Sequence, residues 1–127
     1  MVSANELRIN SLFLEANSRR YMVINSIHEH YQFGRYIDAT ATFRVENYEL
    51  TPIPLSKELV LKCGFKDNDG LIELDCFAFR IYYTEHGILL NITGKLNESV
   101  FCHHVKYLHQ LQNLVHSLSN SELEINL

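Results

Sequence analysis

The sequence is poor in cysteine, and the few cysteines present are not spaced for a structural role. Its 127 residues contain only Cys63, Cys76 and Cys102, an odd number without a CxxC pair. This spacing argues against a disulfide framework and against a zinc ribbon. We therefore expect a protein that works in a reducing cytosol.

Long apolar runs are also absent. No window approaches the roughly 18 consecutive apolar residues that a membrane-spanning helix needs. No positively charged segment followed by an apolar run comes after Met1, so a secretory signal is not indicated. We expect a soluble, cytoplasmic protein that does not bind a membrane.

Sequence motifs for phosphate binding and for catalysis are missing. Neither GxGxxG nor GxxxxGK followed by Ser or Thr occurs, and the carboxylates lack the spacing of a calcium loop. The net charge of −4 argues against a broad surface for nucleic-acid phosphates. We therefore predict a protein that is not an enzyme and that needs no cofactor.

The composition that is present predicts a single α+β domain over residues 1–127. Hydrophobic residues make up 46% of the chain and charged residues 20%, which is typical of one compact globular domain. Strands are predicted at residues 7–13, 21–27 and 37–45, with a turn at 17–20 that makes the first two a hairpin. Turn signals at 67–70 and 85–87 predict a second antiparallel unit.

Two helices complete the predicted fold. Ser56 is placed to cap a short central helix, and Gly64 to end it in the left-handed conformation. A long amphipathic C-terminal helix, capped by Asn97 or Ser99 and ended by Asn120, should pack on the sheet. Its apolar stripe consists of residues three or four apart: Phe101, Val105, Leu108, Leu111, Val115 and Leu118.

Four segments carry a resemblance to a known group of proteins. They are residues 5–9 (NELRI), 53–65 (IPLSKELVLKCGF), 107–114 (YLHQLQNL) and 121–125 (SELEI). The chain resembles a family of small proteins encoded in prophages and mobile regions of Bacteroidota. No activity is carried over from that family to this chain. The resemblance implies a counter-defence factor, for instance an anti-CRISPR-type inhibitor that binds a bacterial Cas nuclease or the RNA complex of that nuclease.

A short aromatic and basic stretch is the candidate binding surface. Aromatic residues and arginine are the types that anchor protein interfaces, although aromatic residues also fill cores, so a loop folded onto the core is the alternative. The predicted partner-binding residues are Arg19, Arg20, His28, His30, Tyr31, Phe33, Arg35 and Tyr36. A host or defence protein is the expected partner, and the oligomeric state stays open.

Two other functions stay open. With Arg19, Arg20 and Arg44, the same stretch has the chemistry to stack on RNA or DNA bases, as a secondary candidate. His28 and His30, two apart on a strand, would project to one face and offer two metal ligands of a metal-dependent enzyme. A third ligand is not visible near them, and the histidines of the predicted long helix are not spaced to converge on one ion.

Overall fold

The protein is a mixed α+β structure, as predicted. The computed structural model describes residues 7–68, 71–74, 79–84, 87–93 and 99–127. The chain forms two compact units, Met1–Pro54 with Tyr107–Leu114, and Leu55–Lys106 with Val115–Leu127. A compact unit need not fold alone, as a domain does. The single-domain organisation therefore stays a prediction.

The first unit is built on a curled antiparallel sheet of five strands. The strands are β1 (Leu12–Glu15), β2 (Tyr21–Ile27), β3 (Tyr31–Tyr36), β4 (Phe43–Glu46) and β5 (Leu50–Thr51). Their order in the sheet is β4-β3-β2-β1-β5. The predicted hairpin is confirmed as β1 and β2, although β1 begins at Leu12 rather than at Leu7.

The prediction of one strand over residues 37–45 was wrong in its extent. The structure has β3 before this segment and β4 at its end, with a connection between them. Sequence reasoning missed β3 because its pattern is inverted. Gln32 and Gly34 are buried, whereas Tyr31 and Phe33 are only half-buried on the other face. Gly34 lies so close to Met22 that an added Cβ would come within 3.0 Å of the Met22 sulfur.

One face of this sheet covers the hydrophobic core of the first unit. The buried core residues are Leu7, Phe13, Met22, Ile24, Val45 and Leu50, with Tyr36 and Phe43 packed against them. Helix α2 (Leu108–Ser119) contributes its first half to this unit. The ring of His109 lies 4.8 Å from the ring of Phe13, which confirms that the C-terminal helix packs on the sheet.

Helix α2 is shorter than predicted. Ser99–Val105 forms a strand, β10, and not the first turns of the helix. β10 pairs along its length with the neighbouring strand, so tertiary pairing has overridden the helical spacing of Phe101 and Val105. The end of the helix was predicted correctly, because Asn120 has a φ of 57° and its N–H donates to the carbonyl oxygen of His116.

The second unit contains the short helix and a five-stranded meander. Helix α1 (Lys57–Lys62) begins at the predicted cap, where Ser56 Oγ accepts from the N–H of Leu59, and Gly64 follows it with a φ of 90°. The strands are β6 (Lys66–Asn68), β7 (Leu71–Leu74), β8 (Phe79–Thr84), β9 (Gly87–Thr93) and β10, in the order β10-β9-β8-β7-β6. The second antiparallel unit is thus confirmed. Residues 69–70 and 85–86 of its predicted turns lie outside the described residues.

The turn between β1 and β2 is held by a carboxylate. Glu15 accepts hydrogen bonds from the N–H groups of Asn17 (3.2 Å) and Ser18 (2.7 Å). Hydrogen bonding by Ser18, above all by its side chain, holds the pKa of Glu15 below its ordinary value of 4.5, against the opposing effect of burial. The turn therefore depends on the ionised carboxylate.

This carboxylate predicts a pH dependence of stability. As the pH falls through about 4.5, the unfolded chain takes up a proton at Glu15 before the folded chain does, so the stability contributed by Glu15 is lost as the pH falls. Melting temperatures of the wild type and of Glu15→Gln, measured from about pH 6 to about pH 3, should converge toward low pH. Curves that stay parallel would show that the carboxylate does not stabilise the turn.

Candidate functional site

The candidate site lies on the face of β2, β3 and β4 that points away from the core. Successive side chains of a strand point to opposite faces, so Tyr31, Phe33 and Arg35 share this outer face while Gln32 and Gly34 are buried beneath. The register places Arg44 opposite Phe33 and Glu46 opposite Tyr31. The strand pairing thus brings a guanidinium from β4 beside the aromatic residues of β3.

Four side chains at this outer face form one group, which we call the Tyr31 cluster: His28, Tyr31, Phe33 and Arg44. The rings of His28 and Tyr31 are stacked, with 4.7 Å between their centroids and 13° between their planes. Phe33 stands edge-on to both, at 5.6 Å from His28 and 5.9 Å from Tyr31. The guanidinium carbon of Arg44 lies 4.0 Å from the centre of the Tyr31 ring. These are favourable aromatic and cation–π geometries.

Glu46 fixes Arg44 in this position. Its Oε1 accepts from Nε and lies at the same distance, 2.9 Å, from Nη2 of Arg44. The arginine side chain is 56% exposed, so the ion pair itself stabilises the fold by no more than about 1 kcal/mol. Its main consequence is geometric, because it holds the guanidinium against Tyr31.

A second group of predicted residues lies apart from the Tyr31 cluster. The guanidinium of Arg20 lies 3.7 Å from the centre of the Tyr36 ring and pairs with Asp38 at 2.7 Å. This arginine holds the pKa of Asp38 below its ordinary value. Tyr36 projects from the face of β3 opposite to that of Tyr31. Its ring packs against the ring of Phe43, with 5.1 Å between their centroids. The predicted site is therefore divided between the two faces of the sheet.

The remaining predicted residues do not join either group of rings. Arg19 lies in the β1–β2 turn with a φ of 59°, and none of the ring or cation–π contacts among the described residues involves Arg19 or His30. Arg35 shares the face of Phe33, but its Nη1 donates to the carbonyl oxygens of Tyr36, Ile37 and Ala39. Arg35 therefore braces the β3–β4 connection.

The geometry expected for His28 and His30 was wrong. Both residues lie in the connection between β2 and β3 and not on a strand, so the alternation of a strand does not align them. The ring of His28 is stacked on Tyr31, and the ring of His30 lies 3.5 Å from the carboxylate of Glu29. Within the described ranges, no three His, Cys, Asp or Glu side chains form a group that could hold a metal ion.

Cys63 is the cysteine whose side chain the structure describes, and it is not an activated nucleophile. Cys63 is buried, and desolvation raises the pKa of its thiol to about 12, so the thiol stays protonated at neutral pH. It lines a cavity of about 480 Å³ together with Gly64, Leu74 and the C-terminal segment. Cys102 belongs to β10 and not to the first turn of a helix.

Comparison with known proteins does not assign the chain to a group. No protein-family model, no curated protein and no solved structure matches it. In the part of the chain that the structure describes, no helix is long and apolar enough to cross a membrane.

Proposed function

We propose that this chain is a non-catalytic binding protein whose contact surface is the outer face of β2, β3 and β4, centred on the Tyr31 cluster. One observation carries the proposal. Three rings and a guanidinium are held against one another on the outside of a sheet whose other face already covers the core. The core therefore does not need these rings, whereas a partner that covers them would remove apolar surface from water.

The cluster is ordered before any partner arrives. Ring stacking positions His28 and Tyr31, and the ion pair with Glu46 positions Arg44. Aromatic side chains have few rotatable bonds, so little conformational entropy is lost when such a surface is covered. This is the arrangement of a small binding surface that works by shape and contact.

The partner that we propose is a protein of bacterial defence in the cytoplasm of the host cell, for instance a Cas nuclease or its RNA complex. The resemblance to a prophage-borne family supports this class of partner. An inhibitor of this kind works by occupying a surface, and it needs no active site of its own. The protonated Cys63 thiol and the engagement of His28 in a ring stack agree with a non-catalytic role.

Binding of single-stranded nucleic acid is the second candidate. The stacked rings of His28 and Tyr31 favour it, since bases stack on such platforms. The charged residues argue against it, because the guanidinium groups of Arg20 and Arg44 are already paired with Asp38 and Glu46. Affinity for nucleic acid comes mainly from Lys and Arg side chains that neutralise phosphates. Affinity for nucleic acid should fall steeply with salt, whereas affinity for a protein surface centred on aromatic contacts should not.

Removing the central ring should weaken partner capture. Tagged wild type, Tyr31→Ala and Tyr48→Ala are used for affinity purification from the bacterial host, with and without nuclease. Tyr48 is a matched control because it is 69% exposed and lies outside the cluster. We expect Tyr31→Ala to bind the captured protein at least about tenfold more weakly, or about 1.4 kcal/mol, while Tyr48→Ala binds like the wild type.

Three outcomes of this experiment would count against the proposal. Equal capture by both variants would place the binding surface elsewhere. Recovery of RNA or DNA alone, lost on nuclease treatment, would favour binding of nucleic acid. Failure of the wild type to retain any host or defence protein would oppose both the surface and the class of partner. Circular dichroism of the two variants separates a loss of binding from a loss of fold.

A further inference from the structure

A second surface of the first unit is the outer edge of its sheet at β4, which pairs with no further strand among the described residues; we call it the open edge. β4 is a terminal strand in the order β4-β3-β2-β1-β5 and is four residues long. The residues before it, Thr40, Ala41 and Thr42, are exposed, as is Tyr48 after it. An accessible sheet edge can take up another strand by main-chain hydrogen bonding.

The hydrogen bonds of β3 show which backbone groups of β4 face this edge. The N–H of Ile37 donates to Tyr21, and the carbonyl oxygen of Tyr31 accepts from His28, so these odd-numbered residues face β2. The intervening residues Gln32 and Gly34 then face β4, where they pair with Val45 and Phe43. Because N–H and C=O groups alternate sides along a strand, those of Arg44 and Glu46 point to the open edge.

The side chains of these two residues are self-complementary. If β4 pairs antiparallel with β4 of a second copy around a twofold axis at Val45, Arg44 lies opposite Glu46 of the second copy, and Glu46 lies opposite its Arg44. Both cross-strand pairs have opposite charges on the outer face, and both are formed by the residues whose backbone groups face the edge. Opposite charges stabilise directly opposed positions and like charges destabilise them.

The neighbouring registers are disfavoured by charge. Keeping the same backbone groups in hydrogen-bonding positions, the next register in one direction places Arg44 opposite Arg44, and the next in the other direction places Glu46 opposite Glu46. Charged residues protect many edge strands from pairing. Here Arg44 and Glu46 carry opposite charges two residues apart. They favour one antiparallel register and destabilise both neighbouring registers by placing like charges opposite each other.

From this register we infer that β4 is a homodimerisation edge, at which two copies of the chain join their five-stranded sheets antiparallel around Val45. The interface is isologous, as in most symmetric dimers. It is also short, so the dimer should be reversible and populated at high protein concentration. The dimer edge shares Arg44 and its ion pair with Glu46 with the Tyr31 cluster, but the inference does not depend on the partner proposed above, because self-association is measured on the purified protein alone.

Charge exchange at the edge tests the inference without disturbing the core. Sedimentation velocity from about 10 µM to about 1 mM compares the wild type, Arg44→Glu, Glu46→Arg and the double variant Arg44→Glu/Glu46→Arg. The control is Glu29→Arg, which makes the same charge change as Glu46→Arg in the exposed β2–β3 connection. Circular dichroism checks that each variant is folded.

The expected result is a specific pattern of association. The wild type, the control and the double variant should dimerise with increasing concentration. Each single edge variant should stay monomeric, because it opposes like charges in both cross-strand pairs. A 1:1 mixture of the two single variants should form a heterodimer, since position 44 of each then opposes an unlike charge at position 46 of the other. A wild type that is monomeric up to about 1 mM, or single variants that dimerise like the wild type, would overturn the inference.

Discussion

Replacing Phe13 with alanine is expected to lower the free energy of unfolding by about 3–5 kcal/mol. Phe13 is 0% exposed, belongs to the core of the first unit, and packs its ring 4.8 Å from that of His109. The substitution removes buried apolar surface and leaves a cavity between β1 and helix α2. Since small proteins are stable by about 5–15 kcal/mol, the loss would be a large part of the total.

Urea denaturation followed by circular dichroism measures this effect, and Ile9→Ala is the matched control. Ile9 is also an apolar residue near β1, but it is 52% exposed, so its truncation should change stability by less than about 0.5 kcal/mol. Similar losses for the two variants would contradict the position of Phe13 in the core. The midpoint and the slope of each curve should be compared, because a changed slope would indicate a changed unfolded state.

Local sequence patterns correctly predicted the elements in which apolar residues are buried or in which the helix ends are set by neighbouring residues. Tyr21–Ile27 was predicted as a strand because it is rich in β-forming residues, and in β2 the apolar Met22 and Ile24 are buried. The short helix was predicted from Ser56 and Gly64, since a cap hydrogen bond and a left-handed φ depend on nearby residues only. Both are confirmed.

The elements that were missed depend on contacts between distant residues. β3 buries Gln32, whose side chain donates to Asn47 Oδ1, and leaves aromatic rings on its other face; no local pattern indicates this inversion. Ser99–Val105 has a spacing of apolar residues that suits a helix, yet pairing with β9 makes it a strand. Tertiary contacts override local preference in both cases.

The candidate site was predicted in part. His28, Tyr31 and Phe33 were selected for their chemistry, and the structure brings them into contact. Tyr36 was grouped with them by sequence proximity, but the alternation of β3 places it on the other face. The contact of Arg44 with Tyr31 depends on the register of β3 against β4, which the sequence does not reveal without knowledge of where each strand begins.

Gln112 connects helix α2 to β1, and replacing it is expected to cause a second large loss of stability. It is 2% exposed, its Oε1 accepts from the N–H of Leu12 at 2.9 Å, and its Nε2 donates to the carbonyl oxygen of Asn10 at 3.0 Å. β5 pairs with β1 only at Leu14 and Glu15. Before that point, the side-chain amide of Gln112 takes the place of a neighbouring strand by bonding the backbone of Asn10 and Leu12. A buried backbone group that loses its partner is costly, so Gln112→Leu should destabilise the protein by about 2–4 kcal/mol.

The variant Gln112→Glu separates the hydrogen bonding from the volume of the side chain. At neutral pH a carboxylate at position 112 accepts from Leu12 but cannot donate to Asn10, and its burial as a charge is unfavourable. Once protonated, the carboxyl has both a donor and an acceptor, as the amide does. Its pKa in the folded variant should therefore lie above the unfolded value of about 4.3. The stability that it contributes is then present at low pH and is lost as the pH rises through the folded pKa.

Chemical denaturation at about pH 5 and about pH 7 should thus show that Gln112→Glu, relative to the wild type, is less destabilised at the lower pH. Gln112→Leu should show no such change, because leucine does not titrate. Ser117→Ala is the control for the helix, since Ser117 is exposed on α2. If Gln112→Leu were as stable as this control, the amide bridge would contribute nothing. Packing of the helix against Phe13 would then have to hold the edge of β1 by itself.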